Sequence, residues 1–311
     1  MTKRIVLADP RGFCAGVDRA ILTVQTILKA ANPPRTDDLP PVYVRRQIVH
    51  NKHVVEELSA QGAVFVQELA EIPDSAASAG IPIVFSAHGV SPAVLRFVKE
   101  GYEIIYIGHK GHDEAVGVVG ESPEHVHLIE HESDVDSLDF SSDTKLVLLS
   151  QTTLSVDETA GTIAALKERF PWLEMPPNSD ICYATSNRQA AVKLVAEQSD
   201  CVVIVGSANS SNSVRLTEVA QEGLNTRFGG VLDGACGKAH RVDDASELDP
   251  TWFEGVESVG ISSGASVPDE LVSGVIESLQ SQGFNDVTTI ETIKENMHFV
   301  LPSELRKKPV R

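Results

Sequence analysis

The feature that most constrains the fold of this 311-residue chain is a recurring order of apolar strand, polar turn and helix. Six segments share this order, and they alternate in two sets along the chain. The first set comprises VYVRRQIVHNKHVVEEL (42–58), YEIIYIGHKGHDEAVGVV (102–119) and CVVIVGSANSSNSVRLTEVA (201–220), and the second comprises IVFSAHGVSPAVLRFV (83–98), LVLLSQTTLSVDETAGTIAAL (146–166) and SVGISSGASVPDELVSGVIESL (258–279). Strands that alternate with helices form parallel sheets through right-handed crossovers. The sequence therefore predicts an α/β fold of three similar domains with parallel sheets.

The repeats also predict the domain boundaries and the place of a binding site. The expected domains are a first repeat over 1–94 with the C-terminal tail 286–311 packed on it, a second over 95–179 and a third over 180–285. Each polar turn follows the carboxyl end of a strand, where open α/β sheets bind ligands. A pseudo-threefold arrangement would place these turns around a central site. Helix capping is the alternative explanation for any single turn, and Ser91, Ser155 and Ser266 are expected caps.

Composition excludes several classes of protein. The net charge is −18, and no basic block precedes the terminal LRKKPVR (305–311), which disfavours nucleic acid and anionic membranes as partners. No apolar run is long enough to span a bilayer, and the N-terminus has no signal-length apolar stretch. We therefore expect a cytoplasmic protein. The four cysteines lie far apart without CxxC spacing, which argues against a disulfide framework and a zinc ribbon.

Two of the four cysteines share a local pattern. Cys14 in RGFCAGVDRA and Cys182 in DICYATSNRQ each lie between a predicted strand and a predicted helix. A helix N-terminus stabilises a thiolate. Two thiolates that face one centre from distant segments suggest an iron–sulfur cluster, and two independently packed cysteines are the alternative. Cys201 begins an apolar run and is expected in the core, whereas Cys236 is expected in a loop.

Eight motifs, in order along the chain, carry a resemblance to a known family. They are RGFCAGVDRA, HNKHVV, SAHGVS, GHKGHDE, SQTTLSVDET, DICYATSNRQ, GSANSSNSVRL and SSGASVPDEL. Over residues 4–302 the chain resembles the 4-hydroxy-3-methylbut-2-enyl diphosphate reductases, the LytB-type iron–sulfur enzymes that end the non-mevalonate isoprenoid pathway. The resemblance implies reductive removal of an allylic hydroxyl, which gives isopentenyl and dimethylallyl diphosphate plus water. It also implies ferredoxin or flavodoxin as the electron donor.

The resemblance assigns roles to individual residues. It implies a 4Fe–4S cluster held by three cysteines, and Cys14 and Cys182 match two of these ligands. Glu114 matches the carboxyl group that supplies protons to the leaving hydroxyl, and Thr152 matches the hydroxyl that orients the allylic alcohol. The implied diphosphate cradle consists of His50, His88, Ser210, Asn212 and Ser266, with His112 and Ser211 adjoining it. Neutral hydroxyl and amide donors at helix N-termini suit a diphosphate.

Other polar residues of these motifs are weaker candidates. His53 and His109 belong to the same motifs, but contact with a ligand is not the favoured interpretation for either. Thr185 and Asn187 flank the second cysteine and are expected to order its loop or relay protons. The segment EHVHLIEH (124–131) has metal-like histidine spacing, but its alternation of polar and apolar residues indicates a strand with one solvated face.

The chain departs from the family at the start of the second repeat. The family has there a strand, an ATCP-type turn with the third cysteine ligand, and most of a helix, whereas LRFVKEGYE (95–103) joins the flanking segments directly. We expect incomplete binding of the cluster and lower stability than in a full-length relative, since the lost elements leave apolar faces uncovered. Two alternatives follow from the same residues: a cluster-free diphosphate-binding protein, and a hydrolase that uses His112 and Glu114 with a divalent metal.

Overall fold

The structure is a computed structural model that describes most of the chain. The described residues are 3–31, 39–85, 92–176, 181–230 and 236–306. They form two compact units, a larger one of residues 1–87 and 190–311 and a smaller one of residues 88–189.

The larger unit contains two groups of elements, one from each end of the chain. The N-terminal group is β1 (Lys3–Asp9), α1 (Ala15–Ala30), β2 (Val42–Arg45), α2 (Lys52–Ala60), β3 (Ala63–Val66), α3 (Asp74–Ser78) and β4 (Ile83–Val84). The elements of the smaller unit follow as α4 (Pro92–Lys99), β5 (Tyr102–Ile107), α5 (Asp113–Glu121), β6 (Val126–Ile129), β7 (Lys145–Ser150) and α6 (Val156–Arg169). The remaining elements are α7 (Tyr183–Glu197), within which the units divide, β8 (Cys201–Val205), α8 (Ser211–Phe228), β9 (Lys238–Val242), β10 (Ser258–Ser263), α9 (Asp269–Ser281) and β11 (Phe284–Glu291).

The strands of the larger unit form two parallel sheets. One has five strands in the order β11-β1-β10-β8-β9, and the other has three in the order β3-β2-β4. In the five-stranded sheet, Ile5 lies opposite Val259 on one side and Val287 on the other. Alternate residues of β1 enter different cores, Ile5 and Leu7 on one face and Val6 and Ala8 on the other. Burial on both faces explains why residues 5–8 of β1 form a continuous apolar run in the sequence.

The smaller unit contains a third parallel sheet, with strand order β6-β5-β7. Ile105 and Ile107 pack into the core on one face, and Ile104 and Tyr106 pack into the core on the other. Helix α4 contains residues 95–99 of the predicted junction LRFVKEGYE (95–103), and β5 begins three residues after this helix ends.

The three parallel sheets confirm the predicted α/β class. The three domain boundaries and the arrangement around a common centre stay predictions. Ser155 caps α6, as expected: its hydroxyl accepts a hydrogen bond from the Glu158 backbone at 3.0 Å. The expectation for Ser266 is wrong, because α9 begins at Asp269 with Pro268 as its N-cap. Ser91 lies outside the described residues.

None of the described helices combines the length and the apolarity that crossing a membrane requires.

Candidate active site

In the larger unit, Cys14 is the N-cap of α1 and has extended backbone angles (φ −88°, ψ 163°). Its backbone N–H donates to the carbonyl of Ala265 at 3.1 Å. Two residues earlier, Gly12 has a φ of +67° and donates its N–H to the Ser263 hydroxyl at 2.8 Å. The left-handed backbone at Gly12 thus directs the chain to the turn that follows β10. The predicted thiol ligand therefore lies beside the turn that contains Ser266.

The turn after β10 contacts the turn after β2, within the same unit. The Ser266 hydroxyl donates to the backbone carbonyl of His50 at 3.2 Å. The turn with His50 begins at Arg46, whose φ of 55° is in the left-handed region. It ends at Asn51, which caps α2 by accepting a hydrogen bond from the Val54 N–H at 3.2 Å. Two residues of the predicted diphosphate cradle are thus brought together.

The start of α8 supplies the next part of the predicted cradle. Ser210 caps this helix by accepting from the Ser213 N–H at 3.3 Å, and Ser211 is its first residue. Asn212 is only 6% exposed, and neither polar atom of its side chain has a hydrogen-bond partner among the described residues. An unsatisfied buried amide costs about 1–3 kcal/mol, so an amide in this state points to a ligand that would satisfy it.

A glycine allows the turn after β10 to approach the start of α8. A Cβ atom on Gly264 would lie 2.1 Å from the Ser213 hydroxyl and 3.5 Å from Asn212 Nδ2. Any side chain at this position would therefore occupy the space beside the buried amide. Sequence reasoning missed this role of Gly264, although the SSGAS motif contains it.

In the smaller unit, Glu114, Thr152 and Cys182 form a connected group. Both carboxylate oxygens of Glu114 accept hydrogen bonds from Thr152, from its backbone N–H at 2.9 Å and from its hydroxyl at 2.8 Å. The backbone N–H of Cys182 donates to the Thr152 carbonyl at 3.0 Å. Glu114 is 8% exposed. The predicted acid, the predicted orienting hydroxyl and the second predicted thiol ligand therefore lie together.

The surroundings of this group are polar and ordered. His112 caps α5, and its Nδ1 atom accepts a hydrogen bond from the Glu114 N–H at 3.2 Å. Gln151 is fully buried; it accepts from the His109 N–H at 3.0 Å and donates to the Thr153 hydroxyl at 2.7 Å. Sequence reasoning missed Gln151, which its place beside two threonines in SQTTLS could have indicated.

Several other histidines have partners away from this group. His109 lies 3.9 Å from carboxylate oxygens of Glu130 and Glu158. His125 and His127 bind the two carboxylate oxygens of Glu103 at 2.8 and 2.7 Å, and His127 lies within β6, where a strand is expected. A group of side chains that could hold a metal ion does not occur among the described residues. His88, a predicted cradle residue, lies outside them.

The loop of the second thiol is ordered by the helix that follows it. The Thr185 N–H donates to the Cys182 carbonyl at 2.8 Å, and Thr185 is buried. This contact agrees with the expectation that Thr185 orders the loop. Asn187 lies half-buried in the next turn of α7.

Comparison with known proteins decides the family. The sequence profile of the LytB protein family matches residues 5–100 and 93–280. The chain belongs to the LytB protein family. The 4-hydroxy-3-methylbut-2-enyl diphosphate reductase of Bifidobacterium longum is 75% identical, over 99% of this chain and 94% of that protein. The reductase of the same name from Rhodococcus opacus is 48% identical, over 98% of this chain and 91% of that protein.

Solved structures agree with this assignment. The E-1-hydroxy-2-methyl-but-2-enyl-4-diphosphate reductase of Plasmodium falciparum has a TM-score of 0.84 and 32% identity, over 98% of this chain and 97% of that one. A structure described as the terminal enzyme of the non-mevalonate pathway has a TM-score of 0.56 and 25% identity, over 90% of this chain and 99% of that one. Members of the LytB family use an iron–sulfur cluster.

The comparisons also locate the departure from the family. The two stretches that match the family profile meet at residues 93–100, within α4. The alignment with the Bifidobacterium relative is 338 positions long and this chain has 311 residues, so at least 27 positions have no counterpart here. Both findings agree with a segment missing at LRFVKEGYE.

The four cysteines of this chain have different surroundings. Cys14 and Cys182 each directly precede a helix. Cys201 lies fully buried in β8, where burial above all, with the nearby Cys236 thiol, raises its pKa to about 12. Cys236 packs against the same core as Cys201. Of the four cysteines, all of which the structure describes, only Cys14 and Cys182 directly precede a helix.

Proposed function

We propose that this chain is a 4-hydroxy-3-methylbut-2-enyl diphosphate reductase in which the groups for substrate binding and proton delivery are in place. The observation that carries the proposal is the double hydrogen bond between Glu114 and Thr152, beside the backbone of Cys182. It matches what removal of an allylic hydroxyl requires: a buried acid next to a hydroxyl that can hold the leaving oxygen.

Glu114 and Thr152 can pass a proton to the leaving hydroxyl. The Thr152 hydroxyl donates to Glu114 Oε2, so its lone pairs can accept a hydrogen bond from the hydroxyl of the substrate. When Glu114 carries a proton on Oε2, the direction reverses, and Thr152 donates to the departing oxygen as it receives the proton of Glu114. The backbone N–H of Thr152 fixes the other carboxylate oxygen and holds the carboxyl plane during this exchange.

The larger unit supplies donors for the diphosphate. Ser210 and Ser211 lie at the start of α8, and the N-terminus of a helix favours an anion. Asn212 adds a buried amide with unused hydrogen-bonding capacity among the described residues, and Ser266 and His50 lie in adjoining turns. Neutral donors of this kind bind a diphosphate without the lysines that a basic site would need.

Reduction also requires two electrons, which members of the family obtain through their cluster. The proposed ligands in this chain are Cys14 and Cys182, for a cluster of the 4Fe–4S type in a cytoplasmic enzyme with ferredoxin or flavodoxin as donor. Because a third thiolate is not provided, we assign no chemical step of this chain to the cluster.

A second candidate function is a diphosphate-binding protein without redox activity. It is supported by the split family match and the longer alignment, which agree with a missing segment, and by the buried amide of Asn212, which does not depend on a cluster. In this candidate, the missing segment is the one that would carry the third thiol ligand.

One anaerobic experiment separates the candidates. We expect the purified chain to bind inorganic pyrophosphate in calorimetry and to turn over the hydroxylated diphosphate only slowly when iron, sulfide and a low-potential reductant are supplied, because a third thiolate ligand is missing. Pyrophosphate binding with no turnover supports the second candidate. Metal-dependent release of phosphate supports a hydrolase. Absence of pyrophosphate binding contradicts both diphosphate proposals.

A further inference from the structure

Two consecutive aspartates at the end of β9 bind the first two residues of α2. Lys52 Nζ lies 2.9 Å from Asp243 Oδ2, and His53 Nε2 lies 2.9 Å from Asp244 Oδ2. All four residues belong to the larger unit, where they connect the five-stranded sheet to the three-stranded sheet. We call Asp243 and Asp244 the acidic clasp.

The acidic clasp also connects to the turn that leads into α8. Arg241 donates to Asp243 Oδ1 at 2.6 Å and to the backbone carbonyl of Gly206 at 2.6 Å. The Asp243 side chain is 14% exposed. Burial opposes its ionisation, but the hydrogen bonds from Lys52 and Arg241 outweigh burial and lower its pKa. Asp243 is thus held as a carboxylate between two cations.

The two turns that the clasp connects touch each other directly as well. Asn209 Nδ2 donates to Gln47 Oε1 at 2.8 Å, and the backbone N–H of Lys52 lies 3.4 Å from the Ser207 hydroxyl. His50 lies in the first of these turns, and Ser210 ends the second. A displacement of α2 relative to β9 would therefore move predicted diphosphate donors relative to one another.

The side chain of Asp244, which binds His53, is also held by hydrogen bonds from a neighbouring residue. Its Oδ1 atom accepts hydrogen bonds from the Ser246 N–H at 2.9 Å and from the Ser246 hydroxyl at 2.5 Å, which leaves Oδ2 for the histidine. Asp244 thereby caps the short 3-10 helix Ala245–Glu247, and Asp249 caps the next one, Pro250–Phe253, in the same way, through the Thr251 N–H at 2.9 Å and hydroxyl at 2.8 Å. The clasp therefore differs from an ordinary helix cap by its contact with α2.

We propose that Asp243 and Asp244, acting through Lys52 and His53, are positioning residues that hold the turn of His50 against the turn of Ser210 for binding of a diphosphate. This inference rests on the proposed function. The clasp does not touch the ligand. Its effect falls on the affinity for diphosphate, and therefore on KM, while proton delivery by the smaller unit stays unchanged.

The test compares variants of the full chain with inorganic pyrophosphate as the calorimetric probe. We expect Asp244→Asn and His53→Leu to weaken pyrophosphate binding by about five- to tenfold, which corresponds to the loss of one partly buried ion pair. His53→Gln restores a donor at the position of Nε2 and should recover most of the affinity. Asp249→Asn, which removes a matched cap without the contact to α2, should bind as the unaltered chain does. In turnover assays, KM should rise while kcat changes less than about twofold.

Each result decides a different question. Equal pyrophosphate affinity in Asp244→Asn, Asp249→Asn and the unaltered chain overturns the positioning role and leaves the proposed function intact. An equal loss of pyrophosphate affinity in His53→Leu and His53→Gln also overturns the positioning role, because only His53→Leu removes the donor to Asp244. If Asp244→Asn fails to fold, the two variants of the half-exposed His53 provide the same comparison. An unaltered chain that does not bind pyrophosphate overturns both the proposed function and this inference.

Discussion

At the residue scale, the four cysteines show how strongly local environment decides what a thiol can do. Cys14 and Cys182 each precede a helix, and each donates its backbone N–H to a turn of the candidate site. Cys201 and Cys236 pack against the core of the five-stranded sheet. The sequence distinguishes the two cysteines that precede a helix from Cys201, because a helix start and an apolar run are both visible in it, but it does not show that Cys236, expected in a loop, packs against this core.

The raised pKa of Cys201 predicts that this thiol is unreactive in the native protein. With a pKa of about 12, only about one molecule in ten thousand carries a thiolate at pH 8. We expect iodoacetamide to leave Cys201 unmodified in the folded chain and to alkylate it after denaturation in urea. Peptide mass spectrometry measures both states, with half-buried Cys236 as the internal comparison. Alkylation of Cys201 at the rate of Cys236 in the folded chain would contradict the burial seen here.

Substitution of Glu114 should separate binding from turnover. Glu114→Gln keeps nearly the same shape and can still pair with Thr152, but its amide cannot supply a proton to the leaving hydroxyl. We expect an unchanged melting temperature, pyrophosphate affinity within about twofold of the unaltered chain, and loss of turnover by about a hundredfold or more. Glu158→Gln makes the same chemical change at another glutamate, at the start of α6, and serves as the control. Turnover near the unaltered rate would remove Glu114 from the mechanism.

The motifs name the candidate acid and donors, but they do not show which neighbours make them effective. Gln151 and Gly264 act through contacts that form only when two turns meet. His53 and Asp244 are 191 residues apart, so no local pattern connects them. These residues could not be predicted, because their roles arise from tertiary packing and not from the character of the segment around them.

At the element scale, the alternation of strand and helix predicts parallel sheets but not which strands share a sheet. The apolar run before Cys14 is a strand, β1, as the sequence predicts. Its two partners, β10 and β11, come from the other end of the chain. Each buried parallel strand has the same apolar character, so the sequence does not distinguish among possible neighbours. The order of turns along the chain is therefore easier to predict than the order of strands in a sheet.

The contacts of Glu103 predict a pH-dependent connection between β5 and β6. Burial raises the pKa of Glu103, but hydrogen bonds from His127 and His125 outweigh it, and the net shift is downward. A carboxylate with a lowered pKa contributes stability above its unfolded pKa, near 4.5, and loses that contribution as pH falls through the folded value. The hydrogen bonds between Glu103 and the two histidines therefore stabilise the smaller unit more at pH 6 than at pH 3.5.

We expect Glu103→Gln to lower the free energy of unfolding by about 1 kcal/mol at pH 6 and by much less at pH 3.5. Urea denaturation at the two pH values measures the difference. Glu277→Gln, at an exposed position of α9, should change the free energy by less than about 0.5 kcal/mol at both. A loss from Glu103→Gln that grows on acidification would contradict the sign of the shift.

At the scale of the whole molecule, the missing segment affects both stability and chemistry. Leu95 of α4 and Val116 of α5 are 42% and 48% exposed, on the two helices nearest the junction in sequence. Isolated exposed apolar residues are common. Here they lie next to the predicted departure from the family, and their exposure agrees with the proposal that a further strand and helix are missing there. We propose that the same missing segment carries the third cysteine ligand, so that one deletion removes core surface and a ligand together.

Restoring the segment should therefore raise the stability of the chain and complete its set of cluster ligands. A matched control without the cysteine separates these two effects. We propose to insert, between Val94 and Leu95, a turn and helix that carry a cysteine, once with that cysteine and once with serine in its place. Both insertions should raise the melting temperature by several degrees, because both bury the same apolar surface. Only the cysteine form should bind iron and sulfide in the stoichiometry of a complete cluster, measured anaerobically together with turnover, since the serine form still has only Cys14 and Cys182 as suitable thiols. If the unaltered chain already holds a full and stable 4Fe–4S cluster, a third thiolate is not required, and the assignment of the ligands must be revised.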